Sequence, residues 1–265
     1  MYNLTTAAQI NAAVQSARDA VGNLGDGDTA FFSRCYNEGD LDKYRQRIQA
    51  LGFSDLERVI DIGCGFGQWS IVLAESNDQV IATDIDSSRI NIAKQISAHL
   101  GLNSIDWITA PMLDVPLPSQ HVDAIFSYNA LALSPYRETL AEFARLLKPG
   151  GLLYFNSYDL GWMIYNIIEQ HNPAADFDPR QWAIDAIKNT LQYLSDGTFE
   201  QSTSRDSLLT PLALVRHDLG TLGFNILSEG GDGMTSINGD GPQAPFFPAE
   251  KYGLPAVYEM LCKRR

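Results

Sequence analysis

The sequence predicts an α/β fold, a mostly parallel sheet with helices on both faces, and three observations lead there. Short β-branched or apolar runs at residues 59–62, 79–84, 105–109 and 122–127 alternate with stretches of helical period, as in strands covered on both sides by crossover helices. The first run passes straight into the alternating glycines Gly63, Gly65 and Gly67, after which Trp69, Val72 and Leu73 recur at helical spacing. The second run ends in a carboxylate, Asp84, which lies 23 residues beyond Asp61 in the first.

Residues 5 to 21 read as a helix: Thr6 and Gln9 have the spacing of a capping box, and Ile10, Val14, Ala17 and Val21 share a face. Gly22, Gly25 and Gly27 end it. Residues 31–38 are aromatic and polar with no clean period. A second helix starts at the cap Asp40, places Leu41, Tyr44, Ile48 and Leu51 on one face, and stops at Gly52. After the second strand, Asp86 caps a helix with Ile90, Ala93, Ile96 and Leu100 inward. Residues 135 to 147 form a helix carrying Leu140, Phe143, Ala144 and Leu147. The turn Leu147-Lys148-Pro149-Gly150-Gly151 then stops a helix and starts a fifth strand.

From Leu160 to Ser207 the alternation breaks. A helix around Trp162 to Gln170, a break at Asn172-Pro173 and a helix with Ile184, Ile187, Leu191 and Leu194 on one face read as an inserted helical cap. Leu212 to Leu222 returns to helix and Phe224 to Leu227 to strand. A Gly/Pro-rich loop runs to Pro255, and residues 256–262 read as the last strand.

Composition narrows the function. With 265 residues and a net charge of −13, the chain repels nucleic-acid phosphates, which favours a small or neutral substrate and no nucleic-acid partner. No apolar run is long enough to span a bilayer, and a basic, apolar leader pattern is missing, so a cytoplasmic protein without membrane attachment is expected. Cys35, Cys64 and Cys262 are far apart and odd in number, consistent with free thiols. No His/Cys/Asp/Glu cluster has metal-ligand spacing, so no metal is expected.

The pattern Asp61-x-Gly63-x-Gly65-x-Gly67 is not that of a dinucleotide turn, which wants its third glycine where this chain has Gln68. It resembles the first motif of class I S-adenosylmethionine-dependent methyltransferases, with a core of the methyltransferase type 11 or type 25 kind. The interval to Asp84 and the Leu-Lys-Pro-Gly-Gly turn add to the likeness, which covers residues 58 to 156 well and the last strands loosely. The resemblance implies a three-layer Rossmann-like fold: a seven-stranded, mostly parallel sheet with its last strand antiparallel, N-terminal helices and the inserted helical cap. It divides the chain into an N-terminal lid segment (1–52), a cofactor-binding core (53–159 and 208–265) and the cap (160–207).

It further implies S-adenosyl-L-methionine as cofactor and S-adenosyl-L-homocysteine as product. Asp61 suits the ammonium side, the turn of Gly63, Cys64, Gly65 and Gly67 suits the amino-acid part, and Trp69 opens the helix beyond. Asp84 takes the ribose hydroxyls and Ile85 lies against adenine. Many relatives carry an acid where this chain has Pro111; Met112 and Leu113 remain for adenine. Tyr36, with Arg34, reaches the site from the lid, unless the N-terminal segment only packs on the core. Tyr128 and Asn129 face the methyl group, and Tyr128, Tyr158 and Asp159 are the catalytic candidates. The histidines His99, His121, His171 and His217 read as surface or structural. The expected reaction is O-methylation of a small metabolite or sugar by in-line transfer. The alternatives are N-methylation of a small molecule, a non-catalytic cofactor-binding module, and aminopropyl transfer or nicotinamide chemistry in the same pocket, with Gln68 against the last. A homodimer stays open.

Overall fold

A computed structural model describes residues 5–21, 24–36, 41–203, 205–239 and 241–265. The elements follow the alternation in the sequence. Three helices come first: α1 (Ala7–Val21), α2 (Asp26–Cys35) and α3 (Asp42–Leu51). Then come β1 (Arg58–Ile62), α4 (Gln68–Ala74), β2 (Gln79–Asp84), α5 (Ser87–His99), β3 (Ile105–Thr109), β4 (Val122–Ser127), α6 (Tyr136–Leu146) and β5 (Leu147–Tyr158). The cap helices α7 (Leu160–Glu169) and α8 (Pro179–Asp196) precede α9 (Leu212–Thr221), β6 (Phe224–Gly231), the short β7 (Glu250–Lys251) and β8 (Leu254–Pro255), and β9 (Val257–Arg264).

The main sheet has seven strands in the order β3-β2-β1-β4-β5-β9-β6. The ladders from β3 to β5 are parallel, and β9 runs antiparallel to both β5 and β6. The chain winds outward from β1 to β3 and returns through β4 on the other side, so the β1/β4 junction is the switch point where such sheets bind ligands beyond their carboxyl ends. One face carries Val59, Val80, Ala82, Phe126 and Tyr154 against α1 to α5. The other carries Ile60, Ile62, Ile81 and Ile125 against α6 and α9.

Local signals hold where the side chains make the bonds. The Thr6 hydroxyl and amide donate to Gln9 Oε1 at 2.8 and 2.9 Å, Asp86 Oδ1 accepts from the Ser88 amide at 2.8 Å, and Gly52 ends α3 at φ +76°. The cap Asp40 lies outside the described residues. Four expectations need correction. Residues 31–35, read as aperiodic, finish helix α2: Phe32 and Cys35 are buried at helical spacing while Ser33 and Arg34 face outward. The Lys-Pro-Gly-Gly turn is a bulge inside β5, where the register with β4 jumps from Val122–Leu147 to Ala124–Leu152. The loop before Pro255 contains the β7–β8 hairpin.

The fourth correction concerns α8. The face of Leu191 and Leu194 points outward, with Leu191 65% exposed. The buried line is Ala183, Ala186, Thr190 and Tyr193, because small residues let α8 lie close to α7 and Tyr193 meets Tyr136 edge-on at 5.5 Å. Leu191→Gln should therefore change stability by less than about 0.5 kcal/mol, and Tyr193→Ala should cost about 3 kcal/mol. Urea unfolding of the two variants checks this; the opposite ranking contradicts the packing of α8.

Candidate active site

Gly63, Gly65 and Gly67 sit at φ +76°, +56° and +83° between β1 and α4, a region L side chains rarely enter. Space forbids a side chain as well. A Cβ at Gly63 would stand 2.4 Å from Ala130 Cβ, and one at Gly67 would stand 2.6 Å from the Trp107 ring. The turn is drawn over the tip of β2: the amides of Gly63 and Cys64 donate to Thr83 O at 2.8 and 2.9 Å, and Gly67 donates to Cys64 O at 3.0 Å. The Gly65 amide donates to Asp84 Oδ2 at 2.8 Å. Four of the turn's N–H groups are thus used internally, so the turn serves a ligand by close approach of its backbone rather than by donating those bonds.

Two carboxylates flank the turn. Asp61 is 1% exposed, and its Oδ2 accepts from the Ser70 hydroxyl at 2.6 Å. Burial pushes the Asp61 carboxyl up to about 7; Ser70 opposes this and the charge of Asp84 adds to it. Asp84 is raised by burial too, against the amides of Asp86 and Gly65 and the charge of Arg89. Each Asp84 oxygen takes one amide, Gly65 on Oδ2 and Asp86 on Oδ1 at 2.9 Å, and keeps a lone pair for a hydroxyl. Two large apolar side chains stay in solvent near these tips: Ile85, 57% exposed, and Leu113, 38% exposed. Met112 lies under the turn, near Gly63, and accepts at Sδ from Ser134.

Beyond β4, Asn129 adopts φ +59°, and its amide donates to Asn156 Oδ1 at 2.5 Å. Asn129 Oδ1 and Asn156 Nδ2 are buried without partners. Tyr128 donates to Asp232 Oδ1 at 2.8 Å. Burial holds the Tyr158 hydroxyl well above its usual value, partly offset by the Asn129 amide. Asp159 caps α7: Oδ1 accepts from Leu160 at 2.6 Å and Oδ2 from Leu212 at 3.0 Å. Trp69 and Cys64 are 2% exposed; Trp69 is wedged among Tyr44, Phe126 and Tyr128.

The N-terminal segment covers the turn. Tyr36 donates to Phe66 O at 2.6 Å, and Phe31 and Phe32 pack on the Phe66 ring at 5.3 and 4.9 Å. Arg89 lies over Phe31 and Phe66 and pairs with Asp28 on α2 at 2.7 Å. Arg34 is exposed on the same helix. On the cap side, rings run in series: Tyr128 stacks on Phe247 at 6.2 Å, and Trp162 meets Phe247 and His171 at 5.5 and 5.4 Å. No pattern in the sequence singles out Phe247, which lies in the loop before β7. His171 joins this group with its pKa lowered by burial and by Arg34 and Lys251; His99 and His217 are exposed. A cleft of about 560 Å³, lined in part by Phe177, Trp182 and Arg205, opens beside it, and Trp182 lies edge-on to Tyr158 at 5.8 Å.

Residues 59–151 match the family model described as a methyltransferase domain. The core has the Rossmann-like fold of class I methyltransferases. S-adenosylmethionine is the cofactor such a core takes. The chain is 27% identical over 223 residues to the biotin biosynthesis bifunctional protein BioHC of Cellvibrio japonicus, covering 79% of this chain and 43% of that protein. It is 31% identical over 99 residues to the demethylmenaquinone methyltransferase of Oceanobacillus iheyensis, covering 36% and 42%. The chain thus spans less than half the length of these relatives. A geranyl diphosphate methyltransferase solved with S-adenosylmethionine shares the fold at a TM-score of 0.58 and 14% identity, over 93% of this chain and 94% of the other.

The class I core's donor set fits that cofactor: a turn no Cβ can enter, a carboxylate with free lone pairs, exposed apolar side chains beside it, and a second carboxylate whose partner is a hydroxyl. Among the described residues no group of three or more His, Cys, Asp and Glu side chains is arranged for a metal, and no helix is long and apolar enough to cross a membrane.

The raised Asp61 makes stability depend on pH. Its contribution is full below the unfolded carboxyl value and is lost as pH rises from about 4 to about 7. Asp61→Asn should gain on the wild type across that window, by up to about 4 kcal/mol. Denaturant unfolding at pH 4.5 and pH 8 measures it; a difference independent of pH contradicts the assignment.

Proposed function

We propose that the chain is an S-adenosylmethionine-dependent methyltransferase that methylates a hydroxyl of a small metabolite or sugar. One observation carries this reading: Asp61 and Asp84, both buried, close on one glycine turn and act on each other electrostatically, with a Ser70 hydroxyl as Asp61's partner. A site of this kind favours a cationic ligand that also carries vicinal hydroxyls. Asp61 takes the ammonium of the donor's amino-acid part, Asp84 the ribose hydroxyls, and Ile85 and Leu113 border adenine with Met112 beneath. When bound, the cofactor supplies a methyl group already activated by a positively charged sulfur.

The chain's own residues then align and enclose. The N-terminal segment, through Tyr36, Phe31 and Phe32, is a lid over the turn, and the cap of α7 and α8 closes the acceptor side with Trp162, Tyr158 and Phe247. Tyr128 and Asn129 line the methyl end. Asn129 Oδ1, buried and unpartnered, accepts a hydrogen bond from the acceptor hydroxyl. Tyr128 and Tyr158 hold their protons and both Asp159 oxygens hold backbone amides. The acceptor hydroxyl gives its proton to water as its oxygen takes the methyl group and the methyl–sulfur bond breaks, and fixing the nucleophile in line supplies most of the acceleration, on the order of several kcal/mol.

Calorimetry with S-adenosylmethionine tests the donor site. The wild type should bind, and Asp84→Ala should weaken binding at least tenfold; equal affinities contradict the ribose assignment. Incubation with methyl-labelled donor and a panel of hydroxylated and amino acceptors tests the reaction. Label should appear on hydroxyl acceptors. Donor binding with no transfer would favour a non-catalytic module instead, and transfer to amines alone would move the acceptor atom to nitrogen.

A further inference from the structure

The most connected group outside the donor site is a buried ionic cluster joining four parts of the chain. Arg47 of α3 is 0% exposed. Its Nη1 donates to Glu259 Oε2 of β9 at 2.8 Å and to Asp232 Oδ1 at 3.0 Å. Asp232, just past β6, is filled on both oxygens. Oδ1 also accepts from the Tyr128 hydroxyl at 2.8 Å, and Oδ2 accepts from the amides of Phe246 and Phe247 at 2.5 and 3.0 Å. Four donors on one carboxylate saturate its acceptor capacity. Glu259 is held separately, by Tyr154 at 2.7 Å and the Thr235 amide at 2.6 Å.

We propose that Asp232 is a positioning residue for methyl transfer: with Arg47 behind it, it fixes the Tyr128 ring at the tip of β4 and the Phe246–Phe247 strap that faces that ring. The inference rests on the methyltransferase reading above. Its geometry is specific. Tyr128 is the first residue beyond β4 at the switch point, its ring lies 4.8 Å from Trp69 of the helix that follows the glycine turn, and Phe246 and Phe247 of the strap lie 5.8 and 6.2 Å from it. One carboxylate therefore sets both the donor-side wall and the acceptor-side wall. An amide cannot replace it. An asparagine in this place would turn its NH2 toward either Arg47 and Tyr128 or the two strap amides, and either way donor meets donor.

The test is a double-mutant cycle on donor affinity with an independent structural readout. Calorimetry with S-adenosylmethionine is run on the wild type, Asp232→Asn, Tyr128→Phe and the double variant, with thermal midpoints as a check on folding. Hydrogen exchange at Phe246 and Phe247 is followed without donor. Each single variant should bind about tenfold more weakly, the double variant no more weakly than either single, and the strap amides should exchange at least tenfold faster in Asp232→Asn. Unchanged affinity in either single variant, or losses that multiply in the double, would overturn the proposal, since a merely structural defect does not act through Tyr128. Tyr128→Phe leaves Arg47 and the strap amides on Asp232, so if Asp232→Asn does not fold, the tenfold loss in Tyr128→Phe decides. If the wild type binds no donor, the donor reading has failed, and strap amides protected equally in wild type and Asp232→Asn then remove the positioning role too.

Discussion

Two acids held out of water beside the same turn are the constraint around which this chain is built. A buried carboxylate without a cation is costly, and a second one nearby raises the cost. Here Asp61 has a hydroxyl for a partner, and Asp84 has two amides and the more distant Arg89. The arrangement is tolerable because three glycines in left-handed backbone let the chain fold back over β2 and donate to Asp84. Repulsion between the acids is relieved by a ligand that is positive and hydroxylated, which ties the local fold to the donor.

The rest of the molecule encloses that point. The α2 rings lie on Phe66 within the turn, and Arg89 of α5 pairs with Asp28 of α2. On the other side the aromatic series from Tyr128 through Phe247 to Trp162 joins the tip of β4 to the cap. The Arg47–Asp232–Glu259 cluster fastens α3, the residue after β6 and β9 together in one buried charge system.

Much of this was legible in the sequence because its cause was local. The strands of the parallel half follow from β-branched runs, the glycine turn from its alternation, and the Asp86 and Thr6 caps from residue type and spacing. The last two strands follow from their own apolar runs, while their place in a seven-stranded sheet and the antiparallel course of β9 come through family likeness. The features not legible in the sequence are set by tertiary contact. Helix α2 has only the short apolar line Phe32 and Cys35, and its rings are fixed by Phe66 of the glycine turn. The buried line of α8 is made of Ala183, Ala186 and Thr190, which hydrophobicity does not flag, while its leucines face solvent. Asp232 and Phe247 lie in a loop rich in glycine and proline, and their roles arise only when Tyr128 meets them across more than a hundred residues of chain.

The central claim, that a cation is held by an acid kept partly protonated for want of one, has a direct thermodynamic signature. Calorimetry of S-adenosylmethionine binding at about pH 6, one unit below the raised Asp61 value, in buffers of different ionisation enthalpy counts the protons exchanged on binding. The account predicts release of close to one proton per site, lost in Asp61→Asn. Binding with no proton release by the wild type, or with proton uptake, would contradict it.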